Sequence, residues 1–483
     1  MPIILTAPLS WKRANADEVF MLQALQGNIL KGHGREVTAD IFFKLDPTKP
    51  LESKRALREL ANFHLTNALA QLVATDRFQA GGPSGGAFTH LALSFKGYQA
   101  LGLASSAPND PDFQGGMKSP ASITALSDPQ VATWETPFQQ DIHGVVIAAH
   151  DTESLTAELT GRLKALIVDA GGSIVHVQHG KALRNADNVG IENFGYVDGR
   201  SQPLMLVEDI VEESTKAGSL RWDPAFKLDT ALVKDPGSTD PNSFGSLFVF
   251  RKLEQDVRAF KTREQQVADI LGLTGEDREL AGALIVGRFE DGTPVTLSKD
   301  ARALPPPNDF DYTGDAGSRC PLHAHIRKSN PRGSGGAEPE AIERGHLMAR
   351  RGIPYEDVRR VVHPEELPGA DSLAEFTAKV SALLPTGGVG LLFMAYNSRI
   401  GQQFKFTQQT WVNSTNFPQQ PPGAHGIDPV IGQGPNNPAD QKLPKKWDNA
   451  GAGTANNVGF SGFVKMRGGE YFFSPSLTFL KNL

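Results

Sequence analysis

Residues 320–332, CPLHAHIRKSNPR, combine two histidines with three basic side chains. A neutral imidazole, His323 or His325, could bind iron, and cations such as Arg332 could receive the carboxylates of an anionic cofactor such as haem. A single histidine is more typical of a satisfied structural residue, and the basic residues alone also fit a solvated turn. Both interpretations stay open on local chemistry.

A carboxylate lies in a glycine-flanked segment, residues 193–203, NFGYVDGRSQP. Asp198 directly precedes Gly199, and Gly195 stands three residues before Asp198. Asp–Gly pairs are typical of turns in which Asp bonds its own backbone and Gly takes positive φ. The functional alternative is a carboxylate at the tip of a tight loop that a small ligand can approach closely.

Two adjacent arginines, Arg350 and Arg351, occur in an otherwise apolar segment, residues 347–355, LMARRGIPY. Arginine cannot lose its charge in a protein, so a buried arginine requires an anionic partner. An ordinary ion pair would meet that requirement, and so would an anionic ligand.

Strands and helices alternate along the chain and must position these three segments. Short apolar runs predict strands, whereas apolar residues at spacings of three and four predict helices. The predicted strands span residues 40–45, 90–95, 144–149, 246–250 and 389–396. The predicted helices span residues 51–63 and 252–271, with a further helix built on Leu155, Leu159, Leu163 and Leu166.

The order of elements in the first half of the chain returns in the second half. SLFVFRKLEQDVRAF echoes DIFFKLDPTKPLESKRALREL, and VGLLFMAY echoes HLALSFKGY. The sequence therefore predicts an α+β fold of two halves, residues 1–235 and 236–483, each an antiparallel sheet with helices on one side. A cofactor cavity is expected in the interior between such halves. Residues 416–458, rich in Gly, Pro and Asn, predict a long surface loop.

Composition excludes several classes of protein. The net charge of −6 argues against a nucleic-acid-binding surface, which is usually basic. Cys320 is the single cysteine, so an intramolecular disulfide and CxxC zinc sites are excluded. The start, MPIILTAPLSWKR, lacks the pattern of a secretory signal, and no apolar run is long enough to span a bilayer. We expect a cytoplasmic protein, or one exported by a route without such a signal.

The three segments together resemble the dye-decolourising peroxidase family. They match its GxxDG motif, its AHIRK–NPR histidine segment and its RRGIPY arginine segment, in that order. QGNILKGHGR, HLALSFKGYQALG and GLLFMAY extend the resemblance over nearly the whole chain. It implies two ferredoxin-like halves, with haem held between them or within the C-terminal half. It also implies an enzyme that reduces hydrogen peroxide and oxidises organic donors, such as dyes and phenols, by one-electron steps.

The resemblance assigns roles to individual residues. His325 corresponds to the ligand of haem b, one per chain, and His323 lies two residues short of that place. Asp198 corresponds to the distal carboxylate and Arg350 to the distal arginine, the two catalytic residues. Three further residues would contact the cofactor: Arg332 at a propionate, and Leu391 and Phe393 in the apolar lining of the distal pocket. The resemblance also implies activity favoured at acidic pH.

Other functions stay open at this stage. A haem carrier or sensor, a protein that removes iron from haem, or a non-haem protein would each keep part of the pattern. Many relatives place an acid behind the proximal histidine, but Asn397 follows the GLLFMAY strand here. Trp411, Tyr396 and Tyr355 are candidates for carrying electrons from the surface, although buried core aromatics are the commoner case. A homodimer is the default expectation for a soluble enzyme.

Overall fold

The described strands form one large sheet of ten strands and two small sheets of two strands each. The computed structural model describes residues 3–217, 220–301 and 307–483, so residues 1–2, 218–219 and 302–306 lie outside the described residues. The described strands are β1 (Val37–Lys44), β2 (Phe88–Leu93), β3 (Gly144–His150), β4 (Ser173–Lys181), β5 (Leu183–Arg184), β6 (Gly190–Ile191), β7 (Val233–Lys234), β8 (Phe244–Gln255), β9 (Ala349–Arg350), β10 (Ile353–Glu356), β11 (Val389–Asn397), β12 (Leu443–Pro444), β13 (Thr454–Ala455) and β14 (Val464–Ser474).

Helices separate the strands and cap the two ends of the chain. The described α-helices are α1 (Ala16–Ala24), α2 (Pro50–Phe63), α3 (Ala68–Gln79), α4 (Phe95–Ala100), α5 (Pro111–Gly115), α6 (Pro120–Leu126), α7 (Thr136–Gln139), α8 (Glu153–Asp169), α9 (Val207–Ala217), α10 (Val257–Leu271), α11 (Glu279–Val286), α12 (His325–Ser329), α13 (Glu340–Glu343), α14 (Leu373–Lys379), α15 (Phe404–Phe406) and α16 (Leu477–Lys481). A π-helical turn, Thr407–Val412, follows α15 directly.

The large sheet contains two copies of one strand arrangement. Its order is β10-β11-β8-β14-β2-β3-β1-β4, with antiparallel pairing throughout. Numbered within each half, both β4-β1-β3-β2 and β14-β8-β11-β10 follow the order 4-1-3-2, which is the ferredoxin-like arrangement. The α+β class with two ferredoxin-like halves is therefore confirmed. The two copies are joined where β14 pairs with β2, at Phe473 and Leu93.

The core lies between the inner faces of the two halves. Phe42 on β1 contacts Phe250 on β8 edge to face, with ring centres 4.8 Å apart. Phe138 packs against both rings. Because aromatic rings bury large apolar areas, this cluster holds the halves together. The opposite face of β1 and β3 is covered by α8, whose buried residues include Leu159 and Leu163.

One predicted helix begins later than expected. The helix predicted over residues 252–271 starts at Val257, because β8 continues to Gln255. The charged residues in between read as helix surface, but they are buried and paired in the strand. Arg251 makes a two-point ion pair with Asp128, with N–O distances of 2.5 and 2.8 Å. The Lys252 ammonium makes ion pairs with two different carboxylates, those of Glu135 and Asp357, at 2.8 and 2.6 Å.

The composition of residues 416–458 predicted a long surface loop, but part of this loop is buried. Ile427, Asp428 and Gln441 are each at most 1% exposed. The loop therefore sends part of its chain into the second half of the protein. In the part of the chain that the structure describes, no helix has both the length and the apolar character needed to cross a bilayer.

Candidate active site

A cavity of about 590 Å³ lies where the two halves meet. Leu391 and Phe393 on β11 and Leu253 on β8 form part of its apolar wall. Leu391 and Phe393 are half-buried, whereas the alternate residues Leu392 and Met394 are fully buried on the other face of β11. The two-residue period of the strand thus turns one set of side chains toward the cavity.

His325 forms one wall of this cavity and is fixed from behind by a buried acid. It is the first residue of α12, and its Nδ1 lies 2.8 Å from Oδ2 of Asp428. Asp428 is 0% exposed, and its other oxygen accepts the backbone N–H groups of Val430 and Ile431 at 2.8 and 2.9 Å. Burial alone would raise the pKa of Asp428, but His325 and these N–H groups lower it below its ordinary value. An ionised Asp428 accepts a hydrogen bond from the Nδ1–H group, so Nε2 of His325 is the nitrogen left for a ligand.

Asp198 and Arg350 line the same cavity and are connected through one loop. Gly195 and Gly199 both have positive φ, 98° and 80°, as the tight turn around Asp198 requires. Arg350, on β9, donates from Nη2 to the carbonyl of Arg200 at 3.0 Å. The guanidinium is thereby tied to the loop that carries the carboxylate two residues earlier.

Arg332 is a buried cation in the cavity wall. Its Nη1 donates to the carbonyls of Asn308 and Phe310 at 2.8 and 2.5 Å, and its Nη2 donates to Ser201 Oγ at 2.7 Å. Its guanidinium also lies 3.8 Å from the centre of the Phe310 ring. Burial lowers the pKa of Arg332 to about 10, so it remains a cation at neutral pH.

Comparison with known proteins identifies the family. The model for the DyP dimeric alpha+beta barrel domain matches residues 24–183. The multifunctional dye peroxidase DyP2 of Amycolatopsis sp. is 45% identical over 100% of both chains. Peroxidase 2 of Mycetinis scorodonius is 32% identical over 95% of this chain and 87% of its own. The chain belongs to the dye-decolourising peroxidase family.

Solved structures of dye-decolourising peroxidases agree with this membership. The structure of DyP2 from Amycolatopsis sp. superposes with a TM-score of 0.91 at 42% identity, over all of both chains. That of a DyP-type peroxidase from Anabaena sp. gives 0.86 at 37% identity, over 98% of this chain and 96% of that one. The chain is thus a peroxidase, an oxidoreductase that acts on peroxide, and a carrier or sensor without turnover is not favoured.

The charges around the cavity fit the haem on which dye-decolourising peroxidases depend. Haem brings two carboxylates, and the cavity wall contains Arg200, Arg288, Arg332 and Arg350. Burial and the positive charges of Arg332 and Arg200 lower the pKa of Arg288 to about 9. These cations repel one another, so an anionic group between them would be stabilised.

The other residues of the peroxidase motifs are also located. His323 is 1% exposed and, among the described residues, does not belong to the cavity wall. Arg351 directs its donors to three backbone carbonyls, those of Asn28, Ile29 and Arg350. Arg351 thus lines the cavity and links the Asn28 segment to β9.

The three aromatic residues considered for electron transfer are core residues in this peroxidase. Trp411, Tyr396 and Tyr355 are each at most 2% exposed. None of the three presents a ring to solvent, so none is a direct contact site for a bulky donor.

Asp428, the acid behind His325, was not predicted from the sequence. The residue at the end of the GLLFMAY strand, Asn397, is buried and donates to the carbonyl of Ala395 at 3.0 Å. The signal lay in the long loop instead, where Asp428 stands between Ile427 and a proline in the run HGIDPV. An acid flanked by apolar residues in a polar loop is a candidate for burial.

Proposed function

We propose that the chain binds one haem b through His325 and reduces hydrogen peroxide with Asp198 and Arg350. The oxidising equivalents would then pass to organic donors, including dyes and phenols, one electron at a time. The observation that carries this proposal is that the His325–Asp428 pair shares one cavity with Asp198 and Arg350. A protein that only carried haem would need no acid and guanidinium in that position.

Asp428 has the task of orienting the ligand. Its carboxylate accepts a hydrogen bond from Nδ1–H of His325. This bond fixes the tautomer of the imidazole and directs the Nε2 lone pair into the cavity. A hydrogen-bonded carboxylate also raises the basicity of a ligating imidazole. Bound haem supplies the redox-active iron that takes up the oxidising equivalents of peroxide.

Asp198 has the task of moving one proton. Cleavage of peroxide requires that a proton leave the inner oxygen and join the outer oxygen, which departs as water. An ionised carboxylate of Asp198 can accept this proton and then return it to the outer oxygen. Arg350, which lines the same cavity, would stabilise negative charge on the departing oxygen.

The remaining predicted site residues hold the cofactor. Arg332, a cation in the cavity wall, would attract a propionate through its positive charge. Leu391 and Phe393 would give the peroxide side an apolar lining, which excludes water and strengthens the electrostatic effect of Arg350. Activity is expected to be favoured at acidic pH, as the family resemblance implies, and turnover that rises steadily up to pH 8 would contradict this.

Stopped-flow mixing of the haem-loaded protein with peroxide tests the two catalytic roles. Asp198→Asn keeps the shape of the side chain but cannot accept the proton, so the haem absorption change should slow by about 10²–10⁴-fold. Arg350→Leu should slow the same change while haem stays bound. Unchanged rates in both variants would refute the assignment.

Haem binding itself is tested separately. His325→Ala should abolish stable haem binding, seen as loss of the Soret band after desalting, whereas the matched variant His323→Ala should keep it. An unchanged Soret band in His325→Ala would move the ligand to another residue. The domain boundary at 235/236, the homodimer and the cytoplasmic location stay predictions, which limited proteolysis, sedimentation and fractionation can test.

A further inference from the structure

The six tyrosines of the chain differ in what surrounds their hydroxyl groups. All six are buried. A phenol that loses an electron becomes a strong acid, so reversible oxidation requires a proton acceptor within hydrogen-bonding distance. Within the described residues, four of the buried hydroxyls have no hydrogen-bond partner: Tyr98, Tyr312, Tyr355 and Tyr471. The other two have an acceptor, Glu264 for Tyr196 and His90 for Tyr396.

A cation disfavours oxidation of Tyr196. The Lys261 ammonium lies 4.8 Å from the centre of the Tyr196 ring and 2.9 Å from Glu264. Its positive charge opposes removal of an electron from the ring and also opposes transfer of the phenolic proton to the carboxylate. Tyr396 instead packs against the rings of His90 and Phe248, with no cation over its face among the described residues.

The hydrogen bond that Nδ1 of His90 donates makes the other ring nitrogen, Nε2, the proton acceptor of the ring. Nδ1 lies 3.0 Å from the carbonyl of Gly27, and a carbonyl can only accept, so Nδ1 carries the hydrogen. Nε2 therefore has a lone pair, toward which the hydroxyls of Ser474 and Tyr396 point at 2.8 and 3.1 Å. Burial lowers the pKa of His90 to about 3, so the ring is neutral before the reaction.

Tyr396 is connected to the cavity by a short chain of contacts. Asn28 lines the cavity, and its Nδ2 donates to the Tyr396 hydroxyl at 3.3 Å. The carbonyl of Asn28 accepts from Arg351 at 2.8 Å, and Arg351 donates to the carbonyl of Arg350 at 2.7 Å. Ala395, next to Tyr396 on β11, pairs directly with Arg350 on β9. The hydroxyl is thus one side chain away from the site.

We propose that Tyr396 is a redox-active tyrosine that stores one oxidising equivalent by passing its phenolic proton to His90. This inference rests on the proposed function, because the oxidant is the haem after its reaction with peroxide. One electron leaves the Tyr396 ring for that haem, the Oη–H bond breaks and an Nε2–H bond forms on His90. The products are a neutral phenoxyl radical and an imidazolium. An electron from an organic donor reverses the step, and the proton returns to the phenoxyl oxygen.

Rapid-freeze electron paramagnetic resonance of the haem-loaded protein, mixed with equimolar peroxide in the absence of donor, tests the inference. We expect a tyrosyl signal in the parent protein and its loss in Tyr396→Phe. The matched control is Tyr471→Phe, which removes another buried hydroxyl that has no proton acceptor, and it should keep the signal. A parent-like signal that persists in Tyr396→Phe would overturn the proposal.

A second pair of variants tests the proton acceptor. His90→Gln can hydrogen-bond but cannot take up the proton, so the radical yield should fall at least about tenfold. Ser474→Ala leaves Tyr396 as the single hydroxyl of the described residues within hydrogen-bonding distance of Nε2 and should keep the signal. An unchanged yield in His90→Gln would refute the role of His90.

Two further measurements keep the outcomes distinct. If His90→Gln does not fold, high-field spectra in H₂O and D₂O decide, since a phenoxyl beside His90 must show a strongly coupled exchangeable proton that remains in Asn28→Ala, which removes the other donor to this oxygen. The absence of that coupling would overturn the proposal. The haem absorption change on adding peroxide is recorded in the same samples. A normal absorption change without a tyrosyl signal refutes this inference alone, whereas no absorption change refutes the proposed function.

Discussion

Asp40 offers a quantitative test of how the core between the two halves is built. It lies in the middle of β1 and is 0% exposed. Neither of its carboxylate oxygens has a hydrogen-bond partner among the described residues. Burial without a partner disfavours the charged form and raises the pKa of Asp40 to about 8. The folded protein therefore keeps Asp40 protonated at neutral pH.

The magnitude follows from proton linkage. The ordinary pKa of Asp40 is 3.8, so between pH 5 and 7 the unfolded chain has released a proton that the folded chain retains. A raised carboxylate pKa gives stability that is complete below the unfolded pKa and declines as the pH rises toward the folded pKa. Each pH unit in that window removes about 1.4 kcal/mol, so the two units remove about 2.7 kcal/mol of unfolding free energy.

Asp40→Asn removes the titration while keeping the shape of the side chain. Urea unfolding of the haem-loaded parent and variant at pH 5, 6 and 7 gives the difference between them, in which the other titrating groups cancel. The parent should lose about 2.7 kcal/mol relative to the variant over this range. Asp169→Asn, an exposed acid at the end of α8, is the matched control and should run parallel to the parent. Parallel profiles for Asp40→Asn as well would refute the reasoning.

Three further substitutions test separate parts of the structure. Asp428→Asn should weaken haem binding by about 10–100-fold in a haem titration, because the orienting carboxylate of His325 is lost. Asp128→Ala leaves Arg251 buried without its counter-ion and should reduce the unfolding free energy by about 3–5 kcal/mol in urea. Gly180→Ala places a Cβ 2.6 Å from a threonine hydroxyl and 2.7 Å from an isoleucine methyl, so it should destabilise the protein by about 1–3 kcal/mol.

Each of these substitutions has a control of the same chemical kind. Asp440→Asn changes an acid of the same long loop and should leave haem affinity unchanged. Glu158→Ala breaks an exposed helical ion pair and should change stability by no more than about 1 kcal/mol. Gly161→Ala adds a methyl group to α8 with nothing within 4 Å and should stabilise by up to about 1 kcal/mol. If a control variant changes haem affinity or unfolding free energy as much as the variant it is paired with, the corresponding explanation is contradicted.

Five strands of the large sheet and the three chemical segments were predictable because their signals are local, whereas β4, β10 and β14 were not predicted. Apolar runs located each of the predicted strands to within a few residues, and the repeated order of elements predicted the duplicated fold. Local chemistry did not single out Asp198 and Arg350, because a Gly-flanked Asp also fits an ordinary turn and an Arg pair also fits an ordinary ion pair. The family resemblance pointed to them, and also to Leu391 and Phe393, which the two-residue period of β11 places on one face.

The acid partner of His325 was not predictable from any local pattern. Asp428 lies about a hundred residues further along the chain, in a loop whose composition is polar, and only the tertiary fold brings it to 2.8 Å from the imidazole. The predicted start of α10 was wrong for a related reason. Lys252 looks like helix surface until its carboxylate partners on distant segments are known.

The asymmetry of the site comes from the connections rather than from the duplicated sheet. In the first half, residues 151–172 connect β3 to β4 and hold little more than α8. In the second half, residues 398–463 make the corresponding connection and contain Asp428. His325 likewise lies between α11 and β9, in a stretch with few regular elements. The two similar halves of the sheet thus form a wall of the cavity, while the long connections of the second half provide His325 and its acid partner Asp428.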